Sequence, residues 1–550
     1  MIEYAADFET NNCIDDCRVW AWAVCEVGNI DNVTFGNDIA SFISFCETNG
    51  GIYHFHNLAF DGEFIIWWLF NNGFEYSEKY RSETFRTLIS NTGKFYQLEI
   101  IFEKVGRKTK KAVMRDSLKK LPMSVEAIGR AFNTPVQKTS IDYDLIRPLN
   151  HRLTDEERDY LKGDVQIVAY ALEQQKKQGL KKLTVGSDAL NNFKEHFDRW
   201  AFLFPQIKHS ADKEIRKAYR GGWTYANPKY QANIDLDLTV GAGSVYDVNS
   251  LYPYVMLNCP LPVGYPHFFE GQYNGQYPLW IQFFSAHCKL KPDHLPMLQI
   301  KKNPYFMESE YLTDTEGIVE LAMTNIDIDL LNDHYNVTIF KYHGGFAFDS
   351  MVGLFDDYIG YWNSVKESSV GGQRTIAKLM MNSLYGKFAT NPDVTGKVPY
   401  LKDDNTVGYR EGKQEIRDPV YTPMGVFITA HARNKTIRTA QSVYDRFLYA
   451  DTDSIHVLGC EPIEGIDIHS THIGSWNHEA DFTKAKYIRA KTYAEMINGK
   501  LEIKCAGLPH KLKEGITLET FRRGMRVHGK LRPRHVVGGI VLEKTDFTLK

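Results

Sequence analysis

Alternation of apolar and polar positions begins almost at the first residue. Tyr4-Ala5-Ala6-Asp7-Phe8-Glu9-Thr10 reads as a strand, and Asp7 and Glu9, two apart, leave it on one face. The apolar run Phe64 to Phe70 follows His56-Asn57-Leu58-Ala59-Phe60-Asp61-Gly62, which sets Asp61 near the start of a helix. Another helix opens with a capping box, Thr154 with Glu157, and buries a stripe of Leu161, Val165, Val168 and Leu172. On it Tyr160 and Asp164 are one turn apart and share a face. A helical hairpin broken at Ser368-Ser369-Val370-Gly371-Gly372 has Arg374, Lys378, Asn382 and Tyr385 along one side of its second helix. Finally, Phe447-Leu448 and Ile455-His456-Val457 flank Tyr449-Ala450-Asp451-Thr452-Asp453-Ser454, two strands meeting at a tight turn.

The spaces between these elements carry information too. Gln174 to Lys182 is polar and lysine-rich, a natural boundary. Residues 259–352, rich in aromatics, Pro and turn signals, are too many for a loop within a compact domain and predict an inserted subdomain. Residues 391–421 form a shorter insertion, with hairpin signals at Asp403-Asp404-Asn405 and at Glu411-Gly412.

Composition narrows the class without naming it. A chain of 550 residues should hold three or four domains, and 43% hydrophobic with 13% aromatic content makes it globular. The net charge of −3 does not advertise nucleic acid, so any such contact must come from local basic surface. The candidates are Arg107 to Lys111 and the acid-free run Arg522, Arg523, Arg526, Lys530, Arg532 and Arg534, although a solvated face accounts for either. Eight scattered cysteines without a Cys-x-x-Cys pair argue a reducing compartment and no structural zinc. No apolar run is long enough to span a bilayer, so a soluble protein of a cytoplasm is expected.

The chemistry concentrates on carboxylates. Asp451 and Asp453 repel one another unless a cation sits between them, and hard oxygen ligands suit Mg²⁺ or Mn²⁺. An isolated Asp-x-Asp is usually a solvated turn. Here a second acidic strand end, Tyr246-Asp247-Val248-Asn249-Ser250-Leu251-Tyr252-Pro253, stands about 200 residues earlier. Two-metal phosphoryl transfer needs carboxylates from separate strands, holding metals ~4 Å apart.

Asp-x-x-Ser-Leu-Tyr-Pro followed by Tyr-x-Asp-Thr-Asp-Ser resembles motifs A and C of family B DNA polymerases. Lys378-x-x-x-Asn382-Ser-x-Tyr385-Gly386 matches motif B. Asp7-x-Glu9, Asn57-x-x-x-Asp61 and Tyr160-x-x-x-Asp164 are similar to the three motifs of DEDD-type 3′–5′ exonucleases, and Lys138 matches a lysine that supports that reaction. The family often has an acid two residues after that lysine, where this chain has Ser140. Two insertions, one after motif A and one between motifs B and C, distinguish the protein-primed branch of family B, the phi-twenty-nine type of phage replicase.

The resemblance implies an α+β and α/β multidomain fold: an N-terminal RNase H-like exonuclease domain and a right-hand polymerase of palm, fingers and thumb with two protein-priming insertions. Its boundaries fall at 1–183 for exonuclease, 184–258 and 422–505 for palm, 259–352 and 391–421 for the insertions, 353–390 for fingers and 506–550 for thumb. It implies two Mg²⁺ or Mn²⁺ per site, with Asp7, Glu9, Asp61 and Asp164 in one and Asp247, Val248, Asp451 and Asp453 in the other. Tyr160 would orient the attacking water. Leu251, Tyr252, Lys366, Arg374, Lys378, Asn382 and Tyr385 would hold the incoming dNTP. Thr10, His56, Asn57, Phe60, Ser117 and Leu118 would hold a frayed primer end. Tyr219, Gly221, Gly222, Ser250, Gly386, Lys387, Thr429, Arg433, Lys491, Tyr493 and Lys504 would contact template-primer DNA. Further implied are a terminal protein primer, a viral single-stranded DNA-binding protein, a monomeric state and a bacterial host cytoplasm.

Three rivals explain less. A stand-alone DEDD nuclease leaves motifs A to C unused, and an Asp-x-Asp glycosyltransferase accounts for neither motif B nor the N-terminal acids. A silent DNA-binding scaffold would have lost acids that are all present.

Overall fold

The computed structural model describes residues 1–143, 145–232, 236–299 and 311–550; residues 300–310 of the first insertion therefore lie outside the described residues. The first strand, Glu3–Thr10, lies inside an eight-stranded sheet, antiparallel to Val19–Glu26 and parallel to Gly51–Phe55. Strand alternation sends Tyr4, Ala6 and Phe8 into a core with Phe42, Phe55 and Phe64. Ala5 goes to the opposite face, packed with Leu161, Val165 and Val168 of helix Asp155–Lys177, and Asp7 and Glu9 follow its parity toward that helix. The capping box forms: the Glu157 amide donates to Thr154 Oγ1 at 3.2 Å, and the Thr154 amide to Glu157 Oε2 at 3.1 Å. Asp61 sits one turn into helix Leu58–Asn71, which opens from a left-handed Asn57.

A seven-stranded sheet carries the second set of acids. Its order is Lys500–Cys505, Thr492–Ile497, Trp476–Arg489, Gly243–Val248, Ser454–Leu458, Phe447–Asp451 and Thr224–Ala226. Gly243–Val248 is central, with Asp247 opposite Ser454 on one neighbour and Asn477 on the other. Helix Thr422–Ser442 packs against this sheet and is buried along most of its length. The break at residues 369–370 separates helices Asp356–Ser368 and Gly371–Phe388.

The first insertion has its own four-stranded sheet, ordered Leu261–Phe269, Tyr335–Met351, Leu279–Leu290 and Val319–Thr324, with helix Asn325–His334 against it. The second is a two-stranded ribbon, Asp393–Leu401 with Val407–Ile416. Of the two turn signals, only residues 402–406 turn, with Asn405 left-handed. Glu411-Gly412 instead lies within the second strand, where the register slips between Thr395 and Lys397, so its glycine serves a bulge. A last ribbon, Arg526–Val536 with Gly539–Thr548, ends the chain.

Both basic runs lose charge to neighbours. Lys110 and Lys111 pair with Glu47 and Glu99 at 2.9 and 2.6 Å, so the Arg107 to Lys111 run is substantially neutralised. The C-terminal run is acid-free only along the chain: Glu543 on the facing strand takes Arg534 at 2.6 Å, leaving Arg522 and Arg526 exposed.

Candidate active sites

In the N-terminal site, acids from one strand and two helices meet where the first strand ends. Asp7 is held at a pKa of about 7 by burial and by the Asp164 charge, against Lys138. Glu9 and Asp61 are pushed well above the carboxylate range, first by burial and then by Asp7. The compensating cation is Lys138, whose ammonium donates to Asp164 Oδ2 and, at 3.2 Å, to the Tyr160 hydroxyl. Its Nζ also lies 4.9 Å from the centre of the Tyr160 ring. Asp164 Oδ1 is buried without a hydrogen-bond partner. Among the described residues no three acidic or imidazole groups yet converge on one point as ligands, as expected of carboxylates that repel. The donor set nonetheless fits hard divalent cations: four carboxylates, one with an orphaned oxygen, against a single ammonium.

Tyr143, which the sequence reading left unassigned, contributes a hydroxyl 2.7 Å from that of Tyr160. Its place in the Lys138 to Tyr143 segment was the available signal. His56 and Ser117 come together, Nδ1 to Oγ at 3.0 Å, and His56 Nε2 meets the Met123 carbonyl at 2.7 Å. Ser117 is fully buried, and its hydroxyl donates to the Phe55 carbonyl at 3.0 Å, leaving its oxygen to face His56. A strand end cannot reach it, so Ser117 orients His56. Asn57 is exposed, and Thr10, Phe60 and Leu118 are half-buried.

The second site is an open edge. Asp453 follows a left-handed Thr452 (φ 62°), a conformation that costs a β-branched residue ~1–2 kcal/mol. The surroundings impose it. The Thr452 amide donates to the Trp223 carbonyl at 2.8 Å, and its carbonyl accepts from Thr436 Oγ1 at 2.7 Å. The Val248 amide then donates to the Asp453 carbonyl at 2.7 Å, locking the two acidic strand ends together. Burial, Asp453 and Glu479 raise Asp247 to about 7, while Lys378 opposes them. Asp453 is raised as well, by burial and then Asp451. Glu479 was not foreseen, because only strand pairing across about 230 residues brings it beside Asp247.

Asp451 points elsewhere. Lys491 Nζ stands 3.2 Å from both its oxygens, and Thr224 Oγ1 donates to it at 2.8 Å. Lys491 is otherwise well exposed, and its amide donates to the Tyr449 hydroxyl, whose ring packs on Tyr493. Arg374, Lys378 and Asn382 are exposed along the helix above, and Arg374 Nη1 donates to the Lys366 carbonyl at 2.6 Å. Tyr252 stacks on Tyr385 with ring centres 3.9 Å apart. Leu251 is buried in the core and Val248 likewise, so each can meet a ligand only through its backbone.

Several expected DNA contacts are structural instead. Arg433 is buried in a bidentate pair with Asp327, both contacts 2.9 Å, and donates to the Arg220 and Gly221 carbonyls. Thr429 is buried with its hydroxyl on the Gly425 carbonyl. Arg433 therefore shapes the Tyr219–Gly222 segment from behind, while the Thr429 hydroxyl is spent within its own helix. Within that segment, a Cβ on Gly222 would fall 2.5 Å from Thr452 Oγ1, whereas one on Gly221 meets nothing. Gly222 thus answers to packing, and Gly221 keeps an open backbone. Ser250 (φ 54°), Gly386 and Lys504 border solvent, while burial lowers the Lys387 pKa.

Comparison with known proteins follows this geometry. The family described as DNA polymerase type B, organellar and viral, matches residues 43–153 and 145–467. The DNA polymerase of Bacillus phage M2 is 45% identical over 573 residues, covering 100% of this chain and 99% of the relative. Phi29 DNA polymerase complexed with primer-template DNA superposes with a TM-score of 0.96 at 42% identity, each chain covered in full. The phi29 ternary complex, with primer-template DNA and incoming nucleotide substrates, gives 0.95 at 42%, again covering both chains fully.

Proposed function

Starting from the fact that this chain belongs to the type B DNA polymerases, organellar and viral, we propose how its two acidic sites divide the work. The protein is a DNA-directed DNA polymerase with a proofreading exonuclease, a right-hand fold of mixed α/β domains and phi29-like protein-primed, strand-displacing synthesis. It binds template-primer DNA and dNTPs.

Asp247 and Asp453, with Asp451 and the Val248 carbonyl beside them, are the polymerase metal ligands. The observation that carries this reading is the Val248–Asp453 bond, which fixes both strand ends beneath the Lys378 charge. Bound divalent ions supply Lewis acidity to the primer 3′-hydroxyl and the triphosphate. The chain's own residues do the rest. Lys378 and Lys366 neutralise the triphosphate, Arg374 and Asn382 extend that face, and the Tyr252–Tyr385 stack forms the floor beneath sugar and base. Lys491 holds Asp451 away from Asp453 until DNA competes for its ammonium, and Tyr493, Lys504 and the Gly221 backbone track the duplex.

Asp7, Glu9, Asp61 and Asp164 hold the exonuclease metals. Tyr160, its hydroxyl set by Lys138 and Tyr143, orients the water that cuts the primer end. Thr10, Asn57, Phe60 and Leu118 line the single strand. The insertions define the protein-primed character: the sheet of residues 259–352 receives a terminal protein, and the 391–421 ribbon closes with the thumb around DNA. A viral single-stranded DNA-binding protein would meet the displaced strand, and the polymerase acts as a monomer.

Extension of a primed single-stranded circle with Mg²⁺ and dNTPs alone tests the reading. Products longer than one lap are expected. Removal of residues 396–416 should spare gap filling yet end displacement through duplex; undiminished rolling-circle synthesis by that deletion would sink the ring.

A further inference from the structure

Two isolated ribbons, Asp393–Leu401 with Val407–Ile416 and Arg526–Val536 with Gly539–Thr548, reach the same helix of the N-terminal domain, Leu58–Asn71. Two-stranded ribbons are marginal by themselves in water, so where they dock decides where they stay. One carboxylate oxygen serves both. Glu63 Oε1 accepts from the Tyr409 hydroxyl of the insertion ribbon at 2.8 Å, and His535 Nε2 of the terminal ribbon stands 3.2 Å from it. Glu63 is 3% exposed, and its other oxygen, Oε2, is buried with no hydrogen-bond partner. The Tyr409 ring lies edge-on to Phe95 and 5.9 Å from the His535 ring, which closes the junction.

Around it each ribbon has separate moorings. Trp67 Nε1 donates to the Asn405 carbonyl at 3.0 Å, and Ser90 bridges Gly396. Asn12 exchanges two hydrogen bonds with the Leu542 backbone. Gly538 and Gly539 lie so close to the Cys17 carbonyl and the Phe64 ring that a Cβ would fall 1.9 and 2.5 Å from them. Apolar packing and backbone bonds could hold both ribbons without a buried acid, and a carboxylate is costly there. What the acid adds is a directional hydrogen bond to Tyr409 and a negative charge beside His535, whose Nε2 is buried without a hydrogen-bond partner.

We propose that Glu63 is a positioning residue for processive synthesis: it anchors the insertion ribbon and the thumb ribbon together and so sets how long the closed ring stays on its template. This rests on the ring described under the proposed function. Truncating the carboxylate would leave Tyr409 and His535 partly buried with no common partner, and either ribbon could then lift without the other.

The test uses the full-length protein on a primed circle, with heparin added as a trap once synthesis starts, and amide hydrogen exchange of both ribbons without DNA. Glu63→Ala should shorten the trapped product and raise exchange in both ribbons, each by about tenfold, the factor expected for one buried bond to a charged group. Tyr409→Phe should raise exchange mainly in residues 393–416. Glu63→Gln, which keeps an acceptor for Tyr409, should recover most of the product length. Degradation of a single-stranded oligonucleotide at the parental rate certifies the fold, and if Glu63→Ala fails that control, Tyr409→Phe carries the test. Parental product length and exchange in Glu63→Ala, or equal losses in the Ala and Gln variants, would overturn the anchor. If the 396–416 deletion keeps its product length, the ring itself fails; if only the deletion shortens product, the anchor alone fails.

Discussion

The two acidic clusters solve one electrostatic problem in opposite ways. The N-terminal acids are sunk between a strand and two helices, with Lys138 already bonded to Asp164 and Tyr160. The acids of the seven-stranded sheet stand at strand ends, and the nearby cations Arg374 and Lys378 line an exposed helix. A buried cluster must bring its neutralising charge with it, because little solvent is left around it to screen. An open one is screened by solvent and can keep its cations free for the anionic triphosphate. The difference follows from cargo: a frayed single strand threads into a cleft, whereas a duplex and a triphosphate need a broad approach.

The sharpest way to break this comparison is to remove ligands from one centre at a time. Asp7→Ala with Glu9→Ala should cut single-strand degradation by about a thousandfold or more while primer extension continues, and Asp247→Ala or Asp453→Ala should do the reverse. Gel assays of one labelled primer read both activities. Loss of extension in the folded N-terminal variant would dissolve the division of labour.

A smaller effect separates the two lysines. Lys138→Ala should slow excision about ten- to a hundredfold, since it orients Tyr160 and offsets a buried acid. Lys491→Ala should chiefly weaken primer-template binding, because its exposed ammonium, paired with Asp451 in the free protein, is then free to be taken by a phosphate. Rapid-quench rates set beside DNA dissociation constants distinguish them. A larger loss of extension rate than of binding for Lys491→Ala would place that lysine in the chemistry.

Smaller again is the sugar test. Tyr252 stacks under Tyr385 five residues beyond Asp247, so its ring should exclude a 2′-hydroxyl. Tyr252→Val should narrow the dATP over ATP ratio of kcat/KM by about tenfold or more. An unchanged ratio with a lowered Tm would make the ring a core tyrosine. The least effect is expected near the C-terminal ribbon: neutralising Arg522, Arg523 and Arg526 should flatten the salt dependence of DNA binding by about 0.9 in log–log slope per lost phosphate contact. An unaltered slope returns the run to an ordinary solvated face.

Local chemistry made much of both centres legible. Capping at Thr154, the period-two placement of Asp7 and Glu9, and the Asp-Thr-Asp turn all depend on residues within a few positions of each other, and each appears where the pattern put it. What escaped the sequence depends on distant partners. Arg433 looked available to DNA because its partner, Asp327, lies 106 positions away. Glu479 reaches Asp247 through a sheet register, and Glu543 neutralises Arg534 from across a ribbon. Glu411-Gly412 carried turn chemistry into a bulge, where the demand for glycine is similar but the chain does not reverse.

The left-handed Thr452 has a consequence for anyone evolving this enzyme toward heat. A β-branched residue in that conformation is a reservoir of strain, and replacement by glycine would relieve it, so a screen scored on Tm will enrich that change. The same screen scores the Trp223 and Thr436 bonds that hold the turn only for stability, and not for the alignment they give Asp453. Libraries should therefore hold positions 222, 436 and 452 fixed and spend their diversity elsewhere. A variant selected at this turn for heat alone has not been selected for synthesis.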